Sequence, residues 1–264
     1  MIDMDIAVII IAGVFGVIIG SFLNVVIHRV PEGGSVVSPP SQCPNCGQRI
    51  QMRDNVPVLS WLVLRGKCRH CATPISVRYP LVELGTGGLF ALTAWHFGTT
   101  WALVAYLYLA AIAVALALID LEHSRLPNAI VLPSYLVALG LLTLASWGAG
   151  DWSALLRAVL GGAVLYVIYF LLVIIYPRGM GFGDVKLAGV LGLYLGWLGW
   201  GPVVIGAFSA FLIGGLVSIV LLILKRASIG SGIPFGPYML LGALIGIGWG
   251  TSLWDAYLQM GNLT

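Results

Sequence analysis

Gly179-Met180-Gly181-Phe182-Gly183-Asp184-Val185-Lys186 separates two long apolar runs, residues 154–176 and 186–200, and sets a carboxylate at the edge of the second. A second carboxylate stands in the same situation. Asp120 closes the run 101–119 in Ile119-Asp120-Leu121-Glu122-His123-Ser124-Arg125-Leu126-Pro127-Asn128. An acidic side chain at the centre of a membrane helix costs about 3 kcal/mol, so two of them beside such runs need a reason. The runs themselves set the fold class.

The 264 residues are 59% hydrophobic and 9% charged, with a mean hydropathy of +1.01; soluble domains carry roughly 25% charged residues. This composition predicts an all-α polytopic membrane protein whose surroundings are the lipid bilayer. Runs near 6–27, 81–97, 101–119, 129–147, 154–176, 186–200, 203–224 and 236–256 predict about eight transmembrane helices. The division expected is a first transmembrane helix over 1–27, a polar segment over 28–79, and a transmembrane domain over 80–264.

Charge placement orients the chain. Arg29, Arg49, Arg53, Arg65, Lys67, Arg69 and Arg78 all fall in residues 28–79, which the positive-inside rule puts in the cytoplasm. Alternation then places Arg125, Arg178, Lys186, Lys225 and Arg226 inside, and Asp151, Asp255 and both termini outside; Arg157 alone dissents. Asp3 and Asp5, rather than basic residues, precede the first run, and no Ala-x-Ala site follows it, so this span reads as retained. The net charge of +3 is thus a membrane-orientation signal, and no nucleic-acid partner is expected. Nor does a Gly-x-Gly-x-x-Gly unit sit between a strand and a helix. Gly192-x-x-x-Gly196 and Gly242-x-x-x-Gly246 predict close helix packing.

On this map Asp120 and Asp184 lie at one cytoplasmic level. Two close carboxylates cannot both ionise easily, so one takes a proton from water while its protonated partner polarises a carbonyl. That chemistry predicts an aspartyl dyad cutting a peptide bond at the membrane surface, with neither metal nor covalent intermediate. Gly181 and Gly183 suit a loop needing unusual dihedrals or close approach of a substrate backbone. Pro127 and Asn128 read as a helix start. Each aspartate taken singly reads more simply as a solvated helix cap. A membrane carrier with Asp120 and Asp184 as ion ligands, and a zinc-stabilised assembly protein, are the competing classes. Glu122 reads as a surface or orienting charge, and Glu83 as a structural partner of Arg78 or Arg29, with a substrate contact as the lesser reading.

Cys43-Pro44-Asn45-Cys46-Gly47 and Cys68-Arg69-His70-Cys71 contain all four cysteines of the chain. Two C-x-x-C knuckles 21 residues apart have the spacing of a four-thiolate zinc ribbon. A closed site of this kind is structural, because it leaves no ligand position open. Cys43, Cys46, Cys68 and Cys71 are therefore the expected ligands of a Zn2+ ion in a reducing compartment.

Taken in order, these motifs resemble the bacterial type IV prepilin peptidases of the GxGD aspartyl protease group. Gly20-Ser21-Phe22-Leu23-Asn24-Val25-Val26-Ile27-His28-Arg29 is similar to the family's first-helix signature. It is followed by the cysteine pairs, Arg78-Tyr79-Pro80-Leu81-Val82-Glu83-Leu84, the two aspartate motifs and Pro234-Phe235-Gly236-Pro237. The resemblance implies cleavage of the basic leader of prepilins or pseudopilins after glycine, on the cytoplasmic face of the bacterial inner membrane. It implies Asp120 and Asp184 as the catalytic pair, with Gly181 and Gly183 shaping the loop that meets substrate. Members with the cysteine segment also methylate the new N-terminus with S-adenosylmethionine, for which the sequence names no binding residues. Asn128 stands where many members carry Asp.

Overall fold

Within hydrocarbon every backbone N–H and C=O must find its partner inside the protein, so long apolar runs become helices. The computed structural model describes residues 2–177, 180–224 and 234–261, with side chains from residue 6 onward. Arg178, Gly179, Lys225 and Arg226, and the side chains of Asp3 and Asp5, lie outside the described residues.

Among the described residues the helices are α1 (Ile2–Arg29), α2 (Leu59–Val63), α3 (Arg78–Phe97), α4 (Ala102–His123), α5 (Asn128–Ala149), α6 (Trp152–Ile175), α7 (Phe182–Leu198), α8 (Trp200–Ile223) and α9 (Gly236–Met260). All but the short α2 coincide with the apolar runs of the sequence. The stretch Ile6–Glu32 and helices α4, α5, α6 and α8 are long and apolar enough to cross a membrane. The protein is an all-helical membrane protein.

Helices overrun the apolar runs at the two places that matter most. α4 continues past residue 119 through His123, and α7 starts at Phe182 rather than near 186. Both aspartates are consequently helical. The reason is that helix hydrogen bonds ignore side-chain polarity, and an acidic residue in a first turn satisfies an orphan N–H. α4 stops only where Ser124 takes a left-handed φ of 48°.

One compact unit comprises Met1–Leu103 with Leu107–Ala115. In it α1 packs along α3, and Ala12, Phe90, Ala94 and Ala110 form a buried cluster. The Asn24 Nδ2 donates to the Tyr79 carbonyl at 3.2 Å. Buried Glu83 accepts the Val58 N–H at 2.7 Å, which ties the start of α2 to α3. Arg29, one of the two partners expected for Glu83, donates to the Ser35 carbonyl at 3.0 Å.

The other unit comprises Val104–Tyr106 with Leu116–Thr264. Its helices pair as α6 with α7 and α8 with α9. The Gly-x-x-x-Gly expectation holds in both pairs. A Cβ on Gly161 would meet the Gly192 carbonyl oxygen at 2.7 Å, and one on Gly242 would meet the backbone oxygen of Gly206 and the nitrogen of Ala210. The Tyr106 hydroxyl donates to the Tyr194 carbonyl at 2.8 Å deep in this unit. Gly242→Val should therefore cost about 1–3 kcal/mol by overpacking, seen as a fall in thermal midpoint in detergent. Gly248→Val, with nothing within 4 Å of its Cβ, should leave the midpoint unchanged.

Candidate functional site

Asp120 lies in the last turn of α4 and is only 4% exposed. Its carbonyl accepts the Ser124 N–H at 2.8 Å, closing the helix. The chain then passes through Leu126 to Pro127, whose extended backbone (φ −63°, ψ 129°) launches α5 at Asn128 as the sequence predicts. The side chain of Asp120 is held from a distant part of the chain. Its Oδ2 accepts the main-chain N–H of Gly236 at 3.0 Å, at the first residue of α9.

Asp184 is the third residue of α7 and 7% exposed. Its Oδ2 accepts the Gly181 N–H at 2.9 Å, the back-reaching half of a capping box. The bland reading of Asp184 as a cap is thus met at one oxygen. Burial of the whole side chain goes beyond what capping requires.

Leu126 brings the two carboxylates into one neighbourhood. A Cβ on Gly183 would lie 3.1 Å from the Leu126 Cβ, and one on Gly236 would lie 3.3 Å from the Leu126 Cδ2 and 2.7 Å from the Asp120 Oδ2. Neither loop glycine uses the dihedral freedom that the sequence suggested. Gly181 is extended (φ −83°, ψ 155°) and Gly183 is helical; the latter's missing side chain makes room for Leu126.

Around the pair, Lys186 Nζ donates to Asn128 Oδ1 at 2.9 Å and sits 5.0 Å from the Phe182 ring centroid. The Tyr135 hydroxyl donates to the Lys186 carbonyl at 2.7 Å. Glu122 and His123 are exposed. Two buried carboxylates, each with one oxygen engaged by a main-chain donor, can share a proton and act as base and acid on a water molecule.

The cysteines form a second site. Their four Sγ atoms lie within 4.8 Å of one another, with Cys43 and Cys71 sulfurs 3.7 Å apart. Tetrahedral zinc with sulfurs at 2.3 Å requires S–S edges of about 3.8 Å, so the cluster fits that ion. Each pair sits on a tight knuckle: Gly47 N–H donates to Cys43 and Ala72 N–H to Cys68, both at 2.9 Å. Both turning residues take left-handed backbone, φ 68° at Gly47 and 56° at Ala72. Asn45 bridges the knuckles by donating to Thr73 Oγ1 at 2.8 Å.

The Thr73 hydroxyl and N–H, with the Asn45 amide, bring the Cys71 thiol down to about 5. Cys46 is pushed up to about 11: the Gln48 N–H favours its thiolate, but desolvation and the neighbouring sulfurs outweigh it. Four thiols this close cannot all ionise without a cation among them.

Comparison with known proteins follows the same two sites. A family model described as the bacterial peptidase A24 N-terminal domain matches residues 14–97, and one described as the type IV leader peptidase family matches residues 107–219. A prepilin leader peptidase/N-methyltransferase of Stutzerimonas stutzeri is 38% identical, covering 95% of this chain and 93% of its own. The chain belongs to the type IV leader peptidase family. Proteins with the same name from Pseudomonas aeruginosa (37% identical, 92% of this chain and 91% of that one) and Neisseria gonorrhoeae (37%, 93% and 92%) match over similar lengths. No solved structure matches.

Membership accounts for the motifs but not for how they meet. The Gly236 N–H and Leu126 were not predicted as parts of the site. A Gly-Pro pair at a helix start was the available signal, since proline in a first turn marks the beginning of a helix. What no local pattern carries is that this helix start faces Asp120, 116 residues away. For the knuckles, L-residues pay about 1–2 kcal/mol in left-handed backbone. Ala72→Gly should therefore stabilise the cysteine segment against limited proteolysis, and Gly47→Ala should destabilise it by a similar amount.

Proposed function

We propose that this chain is a prepilin leader peptidase and N-methyltransferase in which Asp120 and Asp184 are the catalytic pair. The observation that carries the assignment is the convergence of two buried aspartates from helices far apart in sequence, on a chain whose relatives bear that name over more than nine-tenths of their length. One carboxylate takes a proton from water as its oxygen attacks the scissile carbonyl. The other, protonated, donates to that carbonyl oxygen. Collapse of the tetrahedral intermediate breaks the C–N bond: the departing amine takes up the proton removed from water, and a hydroxyl proton of the intermediate returns to the second carboxylate as the C=O re-forms.

The substrate fits the charge map of the sequence. A basic leader is held at the cytoplasmic face while its apolar helix lies in the bilayer, so the scissile bond comes to the depth of the aspartates. Gly181 and Gly183 shape the loop that meets the substrate strand, and Gly181, without a β-carbon, lets that strand lie close. The working division is a first helix over 1–27, a cytoplasmic cysteine segment over 28–79, and a peptidase domain over 80–264. The eight long helices all span the inner membrane, with both termini on the far side. The substrates are prepilins or pseudopilins.

In the cysteine segment, Cys43, Cys46, Cys68 and Cys71 would hold a structural Zn2+, which when bound neutralises the clustered thiolates and fixes the two knuckles. S-adenosylmethionine enters as a co-substrate that supplies the methyl group to the new N-terminal amine.

Cleavage of a purified prepilin in detergent, followed by intact mass, tests the reading. Asp120→Asn and Asp184→Asn should each lower the cleavage rate by at least about 1,000-fold, as loss of half of an acid–base pair does. Cys43→Ser/Cys46→Ser should lose bound zinc by metal analysis and lose methylation, while the leader is still cut. The cleavage rate of the wild type should rise and then fall with pH, because one carboxylate must be ionised and one protonated. Wild-type cleavage by either Asn variant would return the aspartates to their role as helix caps.

A further inference from the structure

The dyad reading explains why two carboxylates are present but not what fixes the reacting oxygen of Asp120. That residue lies in the last turn of a helix, and among the described residues its carboxylate takes its hydrogen bond from far along the chain. The donor belongs to α9.

We propose that Gly236 is a positioning residue for peptide hydrolysis: its main-chain N–H and its missing β-carbon together hold Oδ2 of Asp120, so that Oδ1 is the oxygen presented to water and the scissile peptide. This rests on the dyad reading and adds the group that aims one half of it.

Donor accounting at the start of α9 gives the first support. A helix leaves its first N–H groups without intrahelical partners. Here Pro237 has no N–H, and those of Tyr238 and Met239 both return to the Phe235 carbonyl, at 3.1 and 3.2 Å. Gly236 is the remaining donor of this turn, and its N–H goes to Asp120 at 3.0 Å. The bond is buried, so water offers neither partner an alternative.

Sterics give the second support. A β-carbon at position 236 would sit 2.7 Å from the Asp120 Oδ2 and 3.3 Å from its carboxyl carbon. Any larger residue must push the carboxylate away from where it now lies. Glycine here is required by close approach, not by dihedral freedom.

The third support is rigidity behind the donor. The Phe235 ring lies 5.2 Å from Phe211, 6.4 Å from Tyr169 and 6.2 Å from Tyr238, centroid to centroid. Gly214 leaves room for it, since a β-carbon there would come within 2.9 Å of the ring. The aromatic cluster therefore fixes the residue before Gly236, and through it the direction of the N–H. Asp184 has the matching arrangement, with Oδ2 on the Gly181 N–H at 2.9 Å. Each aspartate thus has its second oxygen held by a glycine N–H at the start of a helix.

The test compares Gly236→Ala, Phe235→Leu, Gly248→Ala and Asp120→Asn in the full chain, with a prepilin substrate for cleavage and a pre-cut N-terminus for methylation. A displacement near 1 Å of a catalytic group costs about 100-fold in rate. Gly236→Ala should lower kcat for cleavage by about that factor, with KM within about twofold of wild type and methylation and thermal midpoint unchanged. Phe235→Leu, which adds no atom beside Asp120, should lower kcat by about tenfold with the same pattern, and it keeps the test open should the alanine variant not fold. Gly248→Ala, on the same helix and open to its surroundings, should behave as wild type. Wild-type kcat in Gly236→Ala overturns the inference, as does a parallel loss of cleavage, methylation and thermal stability. Wild-type cleavage by Asp120→Asn would instead overturn the dyad itself.

Discussion

A carboxylate taken out of water must be met by a donor, and at Asp120 and Asp184 the donors are main-chain N–H groups of glycines. Gly181 serves Asp184 and Gly236 serves Asp120. Both glycines stand where a helix begins, where N–H groups are left over and the helix dipole is positive. Cations would hold such groups more strongly but would also settle them into ion pairs. A single neutral donor leaves each carboxylate with an oxygen available for proton exchange. The rest of the unit, from the α6–α7 and α8–α9 pairs to the aromatic cluster behind Phe235, keeps those two helix starts in place.

Packing between helices depends on the absence of side chains. In a bilayer there is little hydrophobic gain in bringing two apolar helices together, so close backbone approach and dispersion must supply the association. Gly161 with Gly192, and Gly206 with Gly242, allow that approach. Gly236 uses the same freedom to bring a backbone donor to a carboxylate. One residue type thus serves both helix cohesion and the close approach of a backbone donor to a carboxylate.

The cysteine segment is organised by a different force. It has few regular elements beyond a 3-10 turn at Met52–Asp54 and the short α2, and small apolar content for a core. Two knuckles facing each other across four sulfurs give it a centre, with the Arg69–Asp54 ion pair and the Trp61 Nε1 bond to the Ile75 carbonyl at 3.1 Å around it. The Glu83–Val58 bond fastens the segment to α3. Val58 takes a left-handed φ of 61°, unusual for a β-branched residue, and this contact is what its strain accompanies.

The sequence by itself determined the class, because hydropathy over about 20 residues and the pairing demand of backbone in lipid leave only helices. It also singled out the candidate residues: Asp120 and Asp184 are conspicuous against an apolar chain, and the spacing of Cys43, Cys46, Cys68 and Cys71 is a property of the chain alone. Tertiary structure decided the rest. Where α4 ends and α7 begins, that Gly183 is helical, that Glu83 takes a backbone donor, and that Gly236 reaches Asp120 are decided in the folded chain, the last two by contacts between segments far apart in sequence. Local pattern reports what a residue is able to do; only the packing of α4 and α7 with α9 sets which partner it meets, because hydrogen-bond geometry is fixed to fractions of an ångström and no periodicity in the chain encodes a distance of that kind.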